Sequence, residues 1–178
     1  MTAVVPVAPV SRIAILGAES SGKSTLADAL ATHYGTVWVP EYLREFVETQ
    51  GRVPFEQDQA GIARTQLERE DAALARASRF LFCDTTPFMT AIYSRIYWNR
   101  LDEQLAALAA AHDYAFTLVA APDGPWVPDG LQRDSDAVRQ AVHRLLIATL
   151  DEARIPFVQV TGSLPQRLRQ AEALLGKP

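Results

Sequence analysis

Nine consecutive residues constrain this chain more than any others: Gly17-Ala18-Glu19-Ser20-Ser21-Gly22-Lys23-Ser24-Thr25. They match G-x-x-x-x-G-K-[ST], a spacing that lets backbone N–H groups curl around a phosphate. A chance match in a chain of this length is a roughly 1% event at ordinary residue frequencies. The context raises its weight further. Arg12 to Leu16 (RIAIL) reads as a short buried strand directly before the loop. Ser24 to Tyr34 reads as a helix directly after it, with Leu26, Ala29, Leu30 and His33 on one face. A helix starting there aims its positive end at the same bound anion.

The remaining pattern alternates in the same way. Further strands are predicted at Thr36–Val39, Arg79–Cys83, Tyr114–Ala120 and Pro156–Val160. Helices are predicted over Glu41–Thr49, Phe55–Ser78, Pro87–Trp98 and Leu101–Ala111, then from Val138 to Thr149 and Leu164 to Leu175. In the long helix, Ala60, Ala63, Leu67, Leu74 and Ala77 share a face that Glu70 and Asp71 interrupt. Strands separated by helices imply a parallel sheet covered on both faces. The expected fold is three-layer α/β with five parallel strands in the order 2-3-1-4-5. Residues 1–11, with Pro6 and Pro9, read as a flexible leader, and residues 12–178 as one domain.

Composition removes several classes. The net charge of −4 argues against a general nucleic-acid surface. No apolar run approaches the ~20 residues a membrane span needs. Cys83 is the single cysteine, which excludes an intrachain disulfide and a Cys-based zinc site and points to the cytoplasm. The basic residues are 15 Arg and two Lys, Lys23 and Lys177. A guanine-reading Asn-Lys-x-Asp is therefore impossible, which excludes a signalling GTPase. The D-x-x-G match at Asp58–Gly61 falls inside a predicted helix and is read as chance. Ring-type ATPases need a further helical lid. A small-molecule kinase fits the size.

Ligands bind at the carboxyl ends of the strands in such sheets. Lys23 can reach terminal phosphates, and the Ser24 hydroxyl can ligate Mg²⁺. After the second strand, Glu41, Arg44 and Glu45 share a helical face. Glu41 is a candidate general base or hydroxyl binder and Arg44 a substrate or phosphate contact, the alternative being a solvated intrahelical ion pair. After the third strand, four apolar residues run into Asp84, a pattern that suits Mg²⁺ coordination. The loop Ala121 to Asp136 carries Trp126, Asp129 and Arg133. Arg133 is placed to swing onto a transferring phosphoryl group, and Trp126 to stack on a base or pin the loop. Tyr93 to Ala111, with Trp98, is read as a core-packing helical hairpin.

Taken in order, GAESSGKST, PEYLREFVE, Asp58 with IARTQ, LFCDTTPFMTAIYS and WVPDGLQR resemble the ribosylnicotinamide kinase domain of the NadR family. The resemblance covers about residues 12 to 175. It implies ATP on the loop residues Gly17, Ser20, Ser21, Gly22, Lys23, Ser24 and Thr25, with Mg²⁺ near Ser24 and Asp84. It implies nicotinamide riboside as acceptor, contacted near Glu41, Tyr42, Arg44, Asp84, Trp126 and Asp129. Gln132 stands where the family's Arg is expected, one position before Arg133. The leading expectation is thus a Mg²⁺- and ATP-dependent nucleoside kinase, with Lys23 and Arg133 neutralising phosphate charge and Glu41 or Asp84 taking the proton. Two alternatives remain: a nucleotide-dependent switch acting on a protein partner, or a kinase of another nucleoside.

Overall fold

The computed structural model of the chain describes residues 9–128 and 135–178. Five parallel strands form one sheet: β1 (Ser11–Leu16), β2 (Trp38–Val39), β3 (Phe80–Asp84), β4 (Phe116–Ala120) and β5 (Val158–Val160). Their spatial order is β2-β3-β1-β4-β5, as expected. Among the described residues seven α-helices connect and cover them: α1 (Lys23–Tyr34), α2 (Tyr42–Gln50), α3 (Gln59–Leu74), α4 (Pro87–Trp98), α5 (Glu103–Ala110), α6 (Asp136–Glu152) and α7 (Leu164–Leu175). Among the described residues no helix is long and apolar enough to cross a membrane.

Period-two alternation in β1 builds the two core layers. Ile13 and Ile15 face one side, with Leu26 and Leu30 of α1, Phe80 and Phe82, Leu118, and Ala171 and Leu175 of α7. Ala14 and Leu16 face the other, with Phe88, Met89 and Ile92 of α4, Val119, and Val142, Leu146 and Leu150 of α6. A smaller cluster packs Leu81, Cys83 and Val39 against Ala73 of α3. Cys83 is fully buried there, and burial with the neighbouring Glu70 carboxylate pushes its thiol well above the ordinary range.

The structure moves several boundaries; β4 and β5 each begin two residues later than expected, at Phe116 and Val158. β1 begins at Ser11, whose N–H donates to Arg79 O, so the strand takes the last residue of the expected leader. β2 shrinks to Trp38–Val39, a short edge strand that limits unwanted pairing. β3 starts at Phe80 because Arg79 holds a left-handed φ of 51°. The long helix is broken at its start: a 3-10 turn, Glu56–Asp58, precedes α3. Asp58 explains the break, since its carboxylate accepts from Phe55 N–H at 2.7 Å and from Arg52 Nη1 at 2.7 Å. The buried face of α3 also differs from the expected stripe. It runs through Ile62, Ala63, Gln66, Glu70 and Ala73. Glu70 is fully buried because Tyr114 and Arg12 meet it there.

Candidate active site

β1 ends in the phosphate loop, and two glycines there have no substitute. Gly17 lies at φ 153°, where an added Cβ would meet Ser21 Oγ at 2.7 Å and Ala120 O at 2.9 Å. Gly22 takes φ 84° and caps α1. Lys23, first residue of that helix, is buried and donates from Nζ to Ala18 O at 3.1 Å. Ser24 Oγ donates to Asp84 Oδ2 at 2.5 Å. Asp84 is fully buried at the end of β3, in register with Ile15 of β1.

Thr85 follows with φ 66°, uncommon for a β-branched residue and a source of about 1–3 kcal/mol of strain. Its N–H donates to Ile15 O at 3.1 Å, which holds the turn in place. Its hydroxyl also bonds Glu41. Glu41 stands at the N-cap position of α2, beyond the end of β2. Burial pushes its carboxyl above the usual range, and Asp84 adds repulsion. Lys23, Arg44 and the Thr85 hydrogen bond pull the other way.

A cavity of ≈ 740 Å³ opens between these groups. The phosphate loop forms one wall, with Ser20, Ser21, Gly22, Lys23, Ser24 and Thr25. Glu41 and Arg44 of the α2 region face it from another side. A third wall comes from α4, where Tyr93, Tyr97 and Trp98 line the space. The Tyr93 and Tyr97 rings stack, with centroids 6.0 Å apart and planes 10° from parallel. Burial pushes the Tyr93 hydroxyl well up, so it stays protonated, and it meets the Glu19 backbone of the phosphate loop.

Other expected residues are placed differently. Glu45 pairs with Arg69 of α3, at 2.7 and 2.8 Å, instead of within its own helix. The Arg69 guanidinium lies 4.5 Å from the centre of the Tyr42 ring, and Tyr42 is not part of the cavity wall among the described residues. Trp126 sits in the loop after β4, also outside that wall. Asp129 and Arg133 lie outside the described residues.

Several contributors escaped the sequence reading. Tyr93, Tyr97 and Trp98 were expected as core packing and instead face the cavity. Gln66 has a bracing role: Oε1 accepts from Tyr42 N–H at 2.8 Å, while Nε2 donates to Pro40 O at 3.3 Å and Asp84 O at 3.5 Å. It thereby ties the end of β2 to the end of β3. The available signal was a polar residue at a buried helical position.

The Ser24 hydroxyl and the Asp84 carboxylate are two hard oxygen ligands already in contact. That set fits Mg²⁺, which takes one or two protein oxygens and completes its shell with water and phosphate. Among the described residues no group of three or more His, Cys, Asp or Glu side chains could hold a metal by themselves.

The AAA domain family model matches residues 12–167. The trifunctional NAD biosynthesis/regulator protein NadR of Escherichia coli (strain K12) is 32% identical over 156 residues, which is 85% of this chain and 38% of that protein. The chain thus spans well under half the length of this relative. Two crystal structures of NadR superpose with TM-scores of 0.82 and 0.80, each at 19% identity over 96% of this chain and covering 53% and 51% of theirs. The first was solved in complex with NR and the second with NAD and AMP-PNP. Deoxyadenosine kinase from M. mycoides superposes with a TM-score of 0.65 at 12% identity, over 92% of this chain and 98% of its own.

Proposed function

The chain belongs to the AAA domain family and is homologous to NadR, and on that premise we propose that it is an ATP-dependent nucleoside kinase with nicotinamide riboside as the favoured acceptor. One observation carries the reading. A phosphate loop with its lysine, and Ser24 backed by the buried Asp84, share a cavity with a carboxyl of raised proton affinity and an aromatic wall. Such a cavity accommodates a triphosphate at one end and a flat base with its ribose at the other.

In the proposed reaction the 5′-hydroxyl oxygen of the acceptor attacks the γ-phosphorus of ATP. The bond from that phosphorus to the bridging oxygen breaks, and ADP leaves. Glu41 accepts the hydroxyl proton; its raised proton affinity makes it a better base than an exposed carboxylate. Lys23 neutralises charge on the terminal phosphates, the Thr85 hydroxyl holds Glu41 by a hydrogen bond, and the Arg44 charge favours its ionised form. Mg²⁺ held by Ser24 and Asp84 would supply charge neutralisation across the phosphates. Stacking on Tyr93 and Tyr97 orients the base. The setting that goes with this proposal is the cytoplasm, where ATP is abundant.

A panel of nucleosides with ATP and Mg²⁺, read by ADP release, tests the proposal. Nicotinamide riboside is expected to raise ADP release well above the rate without acceptor. If no nucleoside does so, the kinase reading is lost. Slow, acceptor-independent hydrolysis would then favour a nucleotide switch.

A further inference from the structure

Two arginines outside the proposed chemistry grip the phosphate loop from behind. Arg139 of α6 and Arg167 of α7 are 5% and 6% exposed. Arg139 donates from Nη1 to Ser20 O at 3.2 Å, from Nη2 to Gly124 O at 3.0 Å and from Nε to Asp136 Oδ1 at 2.7 Å. Arg167 donates from Nη1 to Ser21 O at 2.5 Å and from Nε to Gly162 O at 3.0 Å. Its Nη2 reaches Ala121 O at 2.9 Å and Asp123 Oδ1 at 2.5 Å. Asp123 Oδ2 in turn accepts from Gly162 N–H at 2.6 Å.

Two successive loop carbonyls are therefore each held by a separate guanidinium. The peptide unit is planar and trans, so fixing its carbonyl also fixes the N–H on its opposite side. The Ser20 carbonyl shares a unit with the Ser21 N–H, and the Ser21 carbonyl with the Gly22 N–H. Arg139 thus sets the direction of one amide and Arg167 that of the next, at residues that line the cavity. Each guanidinium charge is already paired, Arg139 with Asp136 and Arg167 with Asp123, so their part at the loop is directional.

We propose that Arg139 and Arg167 are positioning residues that pre-set the Ser21 and Gly22 amides for a nucleotide triphosphate. ATP affinity is then set by the last two helices, through the loops at Ala121–Gly124 and Gly162, as well as by the phosphate loop. The inference rests on the reading that this loop holds the phosphates of ATP. It does not require an acceptor.

The test compares Arg139→Lys and Arg167→Lys with the unmodified chain by calorimetric titration of ATP, well below each protein's melting temperature. Adenosine, which has no phosphate, is the control. Lysine keeps the charge but lacks the planar fork that bridges several carbonyls. ATP affinity is expected to fall about ten-fold or more in each variant, the scale of a lost charge-assisted bond, while adenosine affinity moves less than about two-fold. Equal weakening of both ligands, or no change in either, would overturn the proposal. If Arg167→Lys does not fold, the Arg139→Lys result decides. An unmodified chain that binds ATP but phosphorylates no nucleoside removes the kinase reading and leaves this inference open to the same titration. One that binds no ATP overturns both.

Discussion

Strands β1 and β3 carry a buried ionic cluster near each end. Beside the start of β1, Glu70 of α3 accepts from the Tyr114 hydroxyl at 3.0 and 2.9 Å, with Arg12 Nη1 3.4 Å away. Arg12 also pairs with Asp71. At the carboxyl ends, Lys23, Ser24 and Glu41 line the cavity, with Asp84 buried behind Ser24. Both clusters mix signs and both hold a carboxyl of raised proton affinity. The first closes on itself, behind the sheet. The second opens on a space, and its lysine gives a single hydrogen bond to Ala18 O among the described residues. Burial and a shifted carboxyl therefore do not mark a site by themselves. What distinguishes the second cluster is donor capacity that faces a cavity.

Substitutions on the two sides should separate function from stability. Lys23→Arg is expected to have the largest effect, a loss of turnover of about 10²–10³. The melting temperature should stay close to that of the unmodified chain, because the swap keeps the charge and removes only a compact ammonium. Near-normal turnover would break the comparison. Steady-state rates and thermal melts check it together.

The next effect concerns pH. Burial raises the Glu70 carboxyl from 4.5 to about 7, against the Tyr114 and Arg12 contacts that lower it. The folded chain thus binds this proton more tightly than the unfolded one. That contribution is fully present below pH 4.5 and is lost as pH rises through about 7, at up to about 1.4 kcal/mol per unit. His112 acts in the opposite sense. Burial lowers it from 6.5 to about 4, so its contribution is present above pH 6.5 and lost as pH falls to about 4. The two slopes oppose each other between pH 4.5 and 6.5. In Glu70→Gln the opposing slope is removed, and stability measured by denaturant titration should rise with pH across that window through His112, with His143, which burial also lowers, adding in the same sense. A stability as flat as in the unmodified chain would count against a shifted Glu70.

The smallest effect is Tyr114→Phe. It removes one hydroxyl donor to a buried carboxylate and should cost about 1–3 kcal/mol of stability. The rate of phosphoryl transfer by the folded protein should not change. A lower rate at full folding would show that the two clusters communicate.

How much of this was legible follows from where the information sits. The phosphate loop, the strands and Asp84 were readable because short spacings encode them: a glycine pattern, alternating apolar runs, and an acid after four apolar residues. Glu41 was readable because it follows a strand end. The aromatic wall was not. Tyr93 and Tyr97 are four residues apart, and that spacing reads the same whether the stripe meets core or cavity. The polar buried face of α3 was hidden for another reason. Gln66 and Glu70 are buried because Tyr42, 24 residues away, and Tyr114, 44 residues away, come to meet them. Arg139 and Arg167 were passed over likewise, since a guanidinium in a helix reads as solvated until its distant carbonyls are known.

Cys83 gives the molecule a built-in clock. It carries the only thiol in the chain, and it lies fully buried between neighbours on β3. Burial keeps it in the thiol form, so the reactive thiolate is essentially absent while the sheet is closed. A maleimide or disulfide reagent can reach it only when α3 lifts from this face of the sheet, where Ala73 and Glu70 cover the thiol. Asp84 is the next residue, so the labelling rate times the uncovering of the strand that carries the proposed Mg²⁺ ligand. No engineered probe is needed to follow that event.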